Sequence, residues 1–357
     1  LAGCSGGSSS DFPGSGDGNG AIGNGSSPGQ FSGGSGGDGG VGGVTAACAT
    51  STASGELSPV DLVFMFDKSG SMDTTPSGSS MSKFEAVKGG LLTFAADPGS
   101  AGMSAQLTFF GQGSGSAFCS AGTYTSNVKV PDTSLPDTTA LAGGFSGVSP
   151  NGSTPTQAAT DGAIAQAQAL ASAHPDHKVA VVMLTDGLPQ GCSDDSDINP
   201  AATDAHAAFV GTPSIPTYVI GVGDLKTNLD TLASQGGTTS AYILTDTNTA
   251  MTNTQLIDAL TSIRGKTASC DFSLPSPPDG KKLDINAVNV QFTPSGGATQ
   301  TLTYSKDCSS GDGWHYDNAS APTQIVLCDN TCNEVKSQAT GKVDIAFGCA
   351  TQGGVAR

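Results

Sequence analysis

The feature that most constrains this chain is a run of five apolar residues, 62–66, that stops abruptly at a polar loop. A run this short and this apolar is typical of a strand that is buried on both faces of a sheet. The loop that follows places the oxygen-bearing side chains of Asp67, Ser69 and Ser71 at alternate positions. A carboxylate and two hydroxyls at the end of a strand suit a hard divalent cation. The sequence therefore predicts a cation site at this loop.

Two later segments offer further oxygen ligands in similar positions. Residues 179–184 form a second apolar run, which ends in Thr185 and Asp186 followed by a glycine. Between the two runs, Thr154 stands just before a stretch with helical periodicity. The same residue types are also common at helix N-termini and in turns, so these segments have a purely structural alternative.

In their order along the chain, these residues resemble the metal-ion-dependent adhesion site of the von Willebrand factor type A domain. The resemblance implies a metal site formed by Asp67, Ser69, Ser71, Thr154 and Asp186. It also implies Mg²⁺ as the cofactor, with Mn²⁺ or Ca²⁺ as substitutes, and an open coordination position that takes a carboxylate from a protein ligand. Neutral hydroxyls in the first shell would leave the ion electron-poor, which favours such a ligand.

The periodicity between residues 48 and 267 alternates helices with apolar strands. Besides the two central runs, strands are predicted at 106–110, 128–130, 216–222 and 241–244, and helices at 81–97, 156–173, 201–210, 228–235 and 253–264. This alternation is typical of an α/β fold, a doubly wound and mostly parallel sheet with helices on both faces. Ligands of such sheets bind beyond the carboxyl ends of the strands, at the point where the strand order reverses.

Charge and cysteine content narrow the partners and the compartment. The formal net charge is −17, so nucleic acid would be repelled and is not an expected partner. The nine cysteines lack the Cys-x-x-Cys spacing of zinc sites. Setting Cys4 aside leaves an even number, which predicts disulfides in an oxidising compartment. We expect one bridge between Cys119 and Cys192, in loops beside the cation site.

The first 47 residues are predicted to be a tether. Leu1 to Cys4 resemble the lipobox of bacterial lipoproteins, which implies lipidation of Cys4, and Ser5 would fit export to an outer membrane. Residues 5–44 contain too few apolar residues to offset the entropy lost on ordering. Since no run approaches the roughly 20 apolar residues of a membrane-spanning helix, lipid on Cys4 would be the anchor.

Residues 268–357 form a region of different character, with five of the nine cysteines. Strands are predicted at 288–292, 300–304, 324–327 and 343–347, and a short helix at 328–339. The pattern indicates either a small disulfide-linked, β-rich module or an extension packed on the central domain. Trp314, His315 and Tyr316 are interpreted as core or as satisfied surface, with a carbohydrate-binding patch as the alternative. Cys48, just before the central domain, is expected to bridge to this region.

These features predict a non-enzymatic lipoprotein of the cell surface that binds a protein ligand through a divalent cation. One alternative is a structural or assembly subunit of a cell-envelope complex. A metal-dependent hydrolase is less favoured, because the four histidines lie outside the metal loops and no nucleophile-base pair is visible. Four loop aspartates are interpreted as solvated acids, with a second cation site or an acidic rim that excludes acidic partners as the alternatives: Asp73, Asp194, Asp195 and Asp197.

Overall fold

A computed structural model describes residues 51–55, 58–77, 79–111, 116–193, 195–223, 226–244, 249–267, 270–274, 284–337, 341–348 and 351. The predicted tether, Cys4 and Cys48 lie outside these ranges. The strands are β1 (Ser51–Gly55), β2 (Val60–Asp67), β3 (Met103–Phe110), β4 (Val130–Ser134), β5 (Lys178–Thr185), β6 (Thr217–Val222), β7 (Tyr242–Leu244), β8 (Asp271–Ser273), β9 (Val288–Thr293), β10 (Gln300–Leu302), β11 (Trp314–Tyr316), β12 (Gln324–Leu327) and β13 (Lys342–Phe347). The helices are α1 (Lys83–Ala96), α2 (Ala121–Ser126), α3 (Thr139–Gly144), α4 (Thr156–Ala173), α5 (Asn199–Phe209), α6 (Lys226–Gln235), α7 (Thr249–Thr267) and α8 (Asp329–Lys336).

The central sheet confirms the predicted doubly wound α/β fold. Its six strands follow the order β4-β3-β2-β5-β6-β7. All neighbours are parallel except β3 and β4, which are antiparallel. The strand order reverses between β2 and β5, so the carboxyl ends of these two strands flank the position where such sheets bind ligands.

Helices cover both faces of this sheet, which explains the uninterrupted apolar runs. Alternate residues of a strand point to opposite faces. Leu62, Phe64 and Phe66 pack with side chains of α1 and α7, whereas Val63 and Met65 pack with side chains of α4, α5 and α6. Every residue of β2 is buried as a result.

The boundaries of the helices have local causes. Helix α1 begins after Ser82, whose Oγ accepts a hydrogen bond from the backbone N–H of Glu85 at 3.3 Å. It ends before Asp97 and Pro98, since proline cannot continue a helix. Helix α4 has the predicted limits. The short helices α2 and α3 were not predicted, because six-residue helices are too short to show a clear period.

The C-terminal elements form two further sheets, in the orders β1-β13-β9-β10 and β11-β12-β8. Strand β1 precedes the central domain in the chain but pairs with β13, from Ser51 opposite Phe347 to Gly55 opposite Val343. The sequence pattern instead predicts that residues 51–55 belong to the central domain. The limits of the domains stay a prediction, but backbone hydrogen bonds tie the segment before β2 to the C-terminal sheet.

Buried aromatic residues hold the C-terminal elements together. Trp314 and Tyr316 are buried, with ring centroids 5.1 Å apart, and the Trp314 indole N–H donates to the Leu302 carbonyl at 3.2 Å. The interpretation of this trio as core is therefore confirmed for two of its members, and the carbohydrate patch is not supported there. His315, on the same strand, is half-buried.

Three disulfides occur among the described residues: Cys119–Cys192, Cys270–Cys332 and Cys308–Cys328. Disulfides of this number are typical of an oxidising, extracytoplasmic compartment. Within the described ranges, no helix is both long enough and apolar enough to cross a membrane.

Candidate metal centre

The predicted site residues lie together at the carboxyl ends of β2 and β5. Asp67 is the last residue of β2, and Asp186 directly follows β5. The two strands are parallel neighbours, with Phe66 opposite Leu184. The motif residues are therefore adjacent because the register of these strands brings both chain reversals to the same edge of the sheet.

Hydrogen bonds connect four of the five residues. Asp67 Oδ1 accepts from the Ser69 backbone N–H at 2.7 Å, and Asp67 Oδ2 accepts from Thr185 Oγ1 at 2.6 Å. Ser69 Oγ lies 3.0 Å from Ser71 Oγ, and Ser71 Oγ donates to Asp186 Oδ1 at 2.7 Å. The Asp67 carboxylate thus fixes both loops, while the two serine hydroxyls form a row that leads to Asp186.

Thr154 reaches the same place from a third loop. A Cβ atom built on Gly187 would lie 3.5 Å from Thr154 Oγ1 and 3.8 Å from Ser71 Oγ, so the two hydroxyls flank this glycine. The backbone of Thr154 exchanges hydrogen bonds with Gln190, at 3.2 and 2.8 Å, and Gly70 N–H donates to the Gly152 carbonyl at 3.0 Å. Backbone bonds therefore hold all three loops in register.

The donor set fits a small, hard cation. Octahedral Mg²⁺ with bonds of about 2.1 Å needs neighbouring oxygens about 3.0 Å apart. The row from Ser69 Oγ to Ser71 Oγ to Asp186 Oδ1 has spacings of 3.0 and 2.7 Å. Both oxygens of Asp67 already accept hydrogen bonds from the protein, so this residue suits an outer position that orients the ligands.

Because they are buried, the carboxylates of Asp67 and Asp186 need a positive counter-charge. Asp67 is fully buried, and this burial raises the pKa of its carboxyl to about 6. The charge of Asp186 acts in the same direction, whereas the hydrogen bonds from Thr185 and Ser69 oppose the rise. Buried anions are stable only when paired, so a cation at this position would relieve the desolvation of both groups.

The structure also shows that a lysine, Lys83, brings a positive charge to this site, which the sequence pattern did not indicate. Lys83 Nζ lies 3.1 Å from Asp186 Oδ2, and only 15% of the lysine side chain is exposed. Lys83 is the first residue of α1, where a lysine gives no periodic signal, and its proximity to Asp186 depends on how α1 packs. Its ammonium already neutralises part of the charge that would attract a metal ion.

No protein-family model matches this chain, and no curated protein sequence matches it. Among solved structures, the von Willebrand factor type A protein from Catenulispora acidiphila is 14% identical with a TM-score of 0.41, over 86% of this chain and 62% of the other. The pilus adhesin SpaC from Lactobacillus rhamnosus GG is 15% identical with a TM-score of 0.44, over 81% and 39%. Proximal thread matrix protein 1 from the mussel byssus is 16% identical with a TM-score of 0.39, over 62% and 51%.

This chain spans between 39% and 62% of the length of these three proteins. The fold of the central domain is assigned from its strand order and from the positions of the motif residues. The central domain is similar to a von Willebrand factor type A domain.

A disulfide supports the rim of the central domain, as predicted. Cys119 and Cys192 are joined with an S–S distance of 2.00 Å. The neighbouring Gly191 has a φ of +86°, and a Cβ there would approach Ser153 Cβ to 2.7 Å. The loop that pairs with Thr154 is therefore packed too closely for a side chain at position 191, and the disulfide fixes its outer end.

The additional acidic residues act locally, in agreement with the solvated interpretation. Asp195 Oδ1 accepts from the Gly191 backbone N–H, and Asp197 Oδ1 accepts from the Asn199 N–H at 3.0 Å. Asp73 is exposed, and Asp194 lies outside the described residues. Among the described residues, these three aspartates belong to no group of three or more potential metal ligands.

A polar cleft of about 480 Å³ opens beside the metal centre. Lys68, from the motif loop, and Lys129 contribute to its lining. Lys68 is half-buried, desolvation lowers its pKa, and its Nζ lies 3.5 Å from Asn151 Oδ1. Two amines in a cleft next to a cation site would favour a negatively charged ligand.

Proposed function

We propose that this chain is an extracytoplasmic binding protein, without catalytic activity, whose type A domain uses Mg²⁺ to hold a carboxylate of a protein ligand. One observation carries the proposal. Five oxygen-bearing side chains from three loops, Asp67, Ser69, Ser71, Thr154 and Asp186, gather where the strand order reverses. Mn²⁺ or Ca²⁺ would satisfy the same oxygen ligands.

The residues of the site would have two different roles in binding the ion. Ser69, Ser71 and Thr154 would bind the ion through neutral hydroxyls, while Asp67 orients Ser69 and stays behind it. When bound, the cation would offer an electrophilic position to an incoming carboxylate. Ser71 is exposed whereas Ser69 and Asp67 are buried, so the ligand would approach from the side of Ser71.

Calorimetry with Mg²⁺ and EDTA-treated protein tests the metal site directly. We expect one Mg²⁺ to bind the unaltered protein, and Asp67→Ala to abolish this binding. Asp73→Ala is the matched control, because it removes an exposed aspartate near the same loop and takes away one negative charge, as Asp67→Ala does. Unchanged Mg²⁺ affinity in Asp67→Ala, or equal loss in both variants, would contradict the proposal.

The carboxylate can be tested with Mn²⁺ as the bound ion and acetate as the probe. Water on bound Mn²⁺ accelerates the relaxation of solvent protons. Acetate that displaces this water should reduce the acceleration in the unaltered protein and leave the Asp67→Ala sample unchanged. A protein ligand that still binds in EDTA would contradict the cation-dependent mechanism and favour the alternative role of a docking subunit in an envelope complex.

Attachment to an outer membrane through Cys4 belongs to the same proposal. Its support is the resemblance of the first residues to a lipobox. Mass spectrometry of the N-terminal peptide from membrane-derived protein should find the mass of a lipid on Cys4. A Cys4→Ala protein should be released from the membrane fraction, and its retention there would oppose the proposal.

A further inference from the structure

A second cluster of potential metal ligands lies at the other end of the same strand. Asp61 is near the amino end of β2, and its side chain is 1% exposed. His174 and His177 lie in the connection between α4 and β5. Asp61 and Asp67 are six positions apart along an extended strand, so this cluster lies about 20 Å from the candidate metal centre.

The three side chains converge with their ligand atoms close together. His174 Nδ1 lies 2.9 Å from Asp61 Oδ2, and His177 Nδ1 lies 2.9 Å from both oxygens of the same carboxylate. The two imidazole rings have centroids 4.6 Å apart. The arrangement thus aims two nitrogens at one buried carboxylate.

The backbone determines the position of both imidazoles. The N–H of His174 donates to the Leu170 carbonyl at 2.8 Å, which closes the last turn of α4, and the N–H of His177 donates to the His174 carbonyl at 3.0 Å. Next to them, Lys178 N–H donates to the Pro59 carbonyl at 2.9 Å, which joins this turn to the start of β2. The ligands are therefore held in place by main-chain bonds before any ion binds.

A second carboxylate lies close to the cluster. Ser104 Oγ lies 2.9 Å from Asp61 Oδ1 and is also within hydrogen-bonding distance of Asp132 Oδ1. A hydroxyl has one proton and cannot donate to both carboxylates at once. In the described part of the chain, the ion-pair partners of Asp61 are the two histidines. No lysine or arginine among these residues takes that role.

We propose that Asp61, His174 and His177 bind a transition-metal ion of the Zn²⁺ class, with water as the fourth ligand. Tetrahedral Zn²⁺ with bonds of about 2.0 Å needs ligand atoms about 3.3 Å apart. The present N–O distances of 2.9 Å need to widen by only a few tenths of an ångström.

The ligand chemistry separates this site from the first one. Imidazole nitrogens favour Zn²⁺, Co²⁺, Ni²⁺ and Cu²⁺, whereas Mg²⁺ prefers oxygen ligands. The cluster would therefore bind an ion that the hydroxyl-rich centre does not select. Its bound ion would join β2 to the connection between α4 and β5.

Each histidine is about one third exposed, at 35% for His174 and 31% for His177. A metal ion can therefore enter from solvent without an opening of the fold. One local pattern indicates the histidines, since two of them separated by two residues follow a predicted helix. Their partner Asp61 could not be found from the sequence, because its contact with them depends on the register of β2 and β5.

Zn²⁺ calorimetry on EDTA-treated protein, produced without a histidine tag, tests the proposal. We expect one Zn²⁺ per chain, with an affinity at least a hundredfold lower in His174→Ala and in His177→Gln. His206→Ala is the matched control, since His206 is exposed on α5 and outside the cluster, and it should bind Zn²⁺ as the unaltered protein does. A millimolar excess of Mg²⁺ should not displace the ion.

Two further measurements keep the test decisive. Co²⁺ in place of Zn²⁺ should give the intense visible absorption of a four-coordinate ion, and His174→Ala should lose this absorption. Zn²⁺ should raise the melting temperature of the unaltered protein but not of His177→Gln, whose folding is checked by circular dichroism. Asp67→Ala should retain Zn²⁺ binding, so a failure of the first site leaves this proposal testable. Equal Zn²⁺ affinity in the unaltered protein and in His177→Gln, or only millimolar binding, would overturn it.

Discussion

Replacement of Lys83 by methionine should strengthen cation binding at the metal centre. Lys83 Nζ lies 3.1 Å from Asp186 Oδ2, and the two side chains are 15% and 0% exposed. A divalent ion about 5 Å from this ammonium would be repelled by about 3 kcal/mol at an effective dielectric constant of about 40, and by about 1.7 kcal/mol at about 80. Loss of the ammonium should therefore raise the Mg²⁺ affinity by roughly tenfold to hundredfold.

The same substitution should have the opposite effect on the metal-free protein. Without Lys83, the carboxylate of Asp186 is buried and lacks its ion-pair partner, which costs about 3 kcal/mol of unfolding free energy in buried pairs. Urea unfolding in EDTA should therefore show a less stable protein, and urea unfolding in saturating Mg²⁺ should show that most of the loss is recovered. This change of sign distinguishes an electrostatic role from simple damage to α1.

Lys88→Met is the matched control for this experiment. Lys88 lies on the same helix and pairs with Glu85 at 3.0 Å instead of with the site. Mg²⁺ titrations of both variants by calorimetry, at low and at physiological salt, compare the effect of charge near and far from Asp186. If Lys83→Met binds Mg²⁺ no more tightly than Lys88→Met, the ammonium does not oppose the ion and the reasoning is refuted.

Three further predictions concern the supports of the fold. Joint replacement of Cys119 and Cys192 by serine should lower the unfolding free energy by about 3 kcal/mol and weaken Mg²⁺ binding severalfold, because the rim loop loses its clamp; calorimetry with no change in affinity would argue against this support. Burial and the neighbouring Asp204 raise the pKa of Asp161 to about 7, so its ionisation lowers stability as the pH rises from 4 through 7. Asp161→Asn should therefore stabilise the protein by about 1 kcal/mol at pH 8, after allowance for solvent screening, and leave its stability unchanged at pH 4 in urea titrations. Trp314→Ala should cost about 3–5 kcal/mol in the same assay, since the indole is fully buried, and a smaller loss than about 1 kcal/mol would contradict its place in the core.

The central sheet and the proximity of the motif residues were predictable because both depend on local patterns. The buried strands β2 and β5 read as apolar runs, and the polar residues that end them are adjacent in sequence to those runs. Helix α4 had a clear period and was predicted with its observed limits. The motif residues then followed from one general property of doubly wound sheets, which gather ligand groups where the strand order reverses.

Contacts between distant segments were not predictable in the same way. Lys83 meets Asp186 and Asp61 meets His174 only because particular helices and strands pack together, and no local pattern marks these pairs. The pairing of β1 with β13 was missed for the same reason, since a strand of five residues does not reveal its partner. The periodicity of a sequence indicates which residues are buried, but not which residues face each other across the core.

The two candidate ion sites are joined by α4, which begins just after Thr154 and ends just before His174. Two divalent ions about 20 Å apart repel each other by only about 0.8 kcal/mol in water, and salt at a Debye length of about 8 Å removes most of that. The strands β2 and β5 also join the two sites, but each is paired with a neighbouring strand on both sides, so any coupling would have to pass through a movement of α4. Gln166, in the middle of the helix, donates to Thr108 Oγ1 at 2.9 Å and to the Tyr124 carbonyl at 2.7 Å, which fixes α4 between its ends.

We expect Mg²⁺ affinity to change less than about twofold when Zn²⁺ saturates the second site, as free-energy coupling needs an element with two arrangements. A change of more than about threefold, with the reciprocal change in Zn²⁺ affinity, would show that α4 moves despite this buried network.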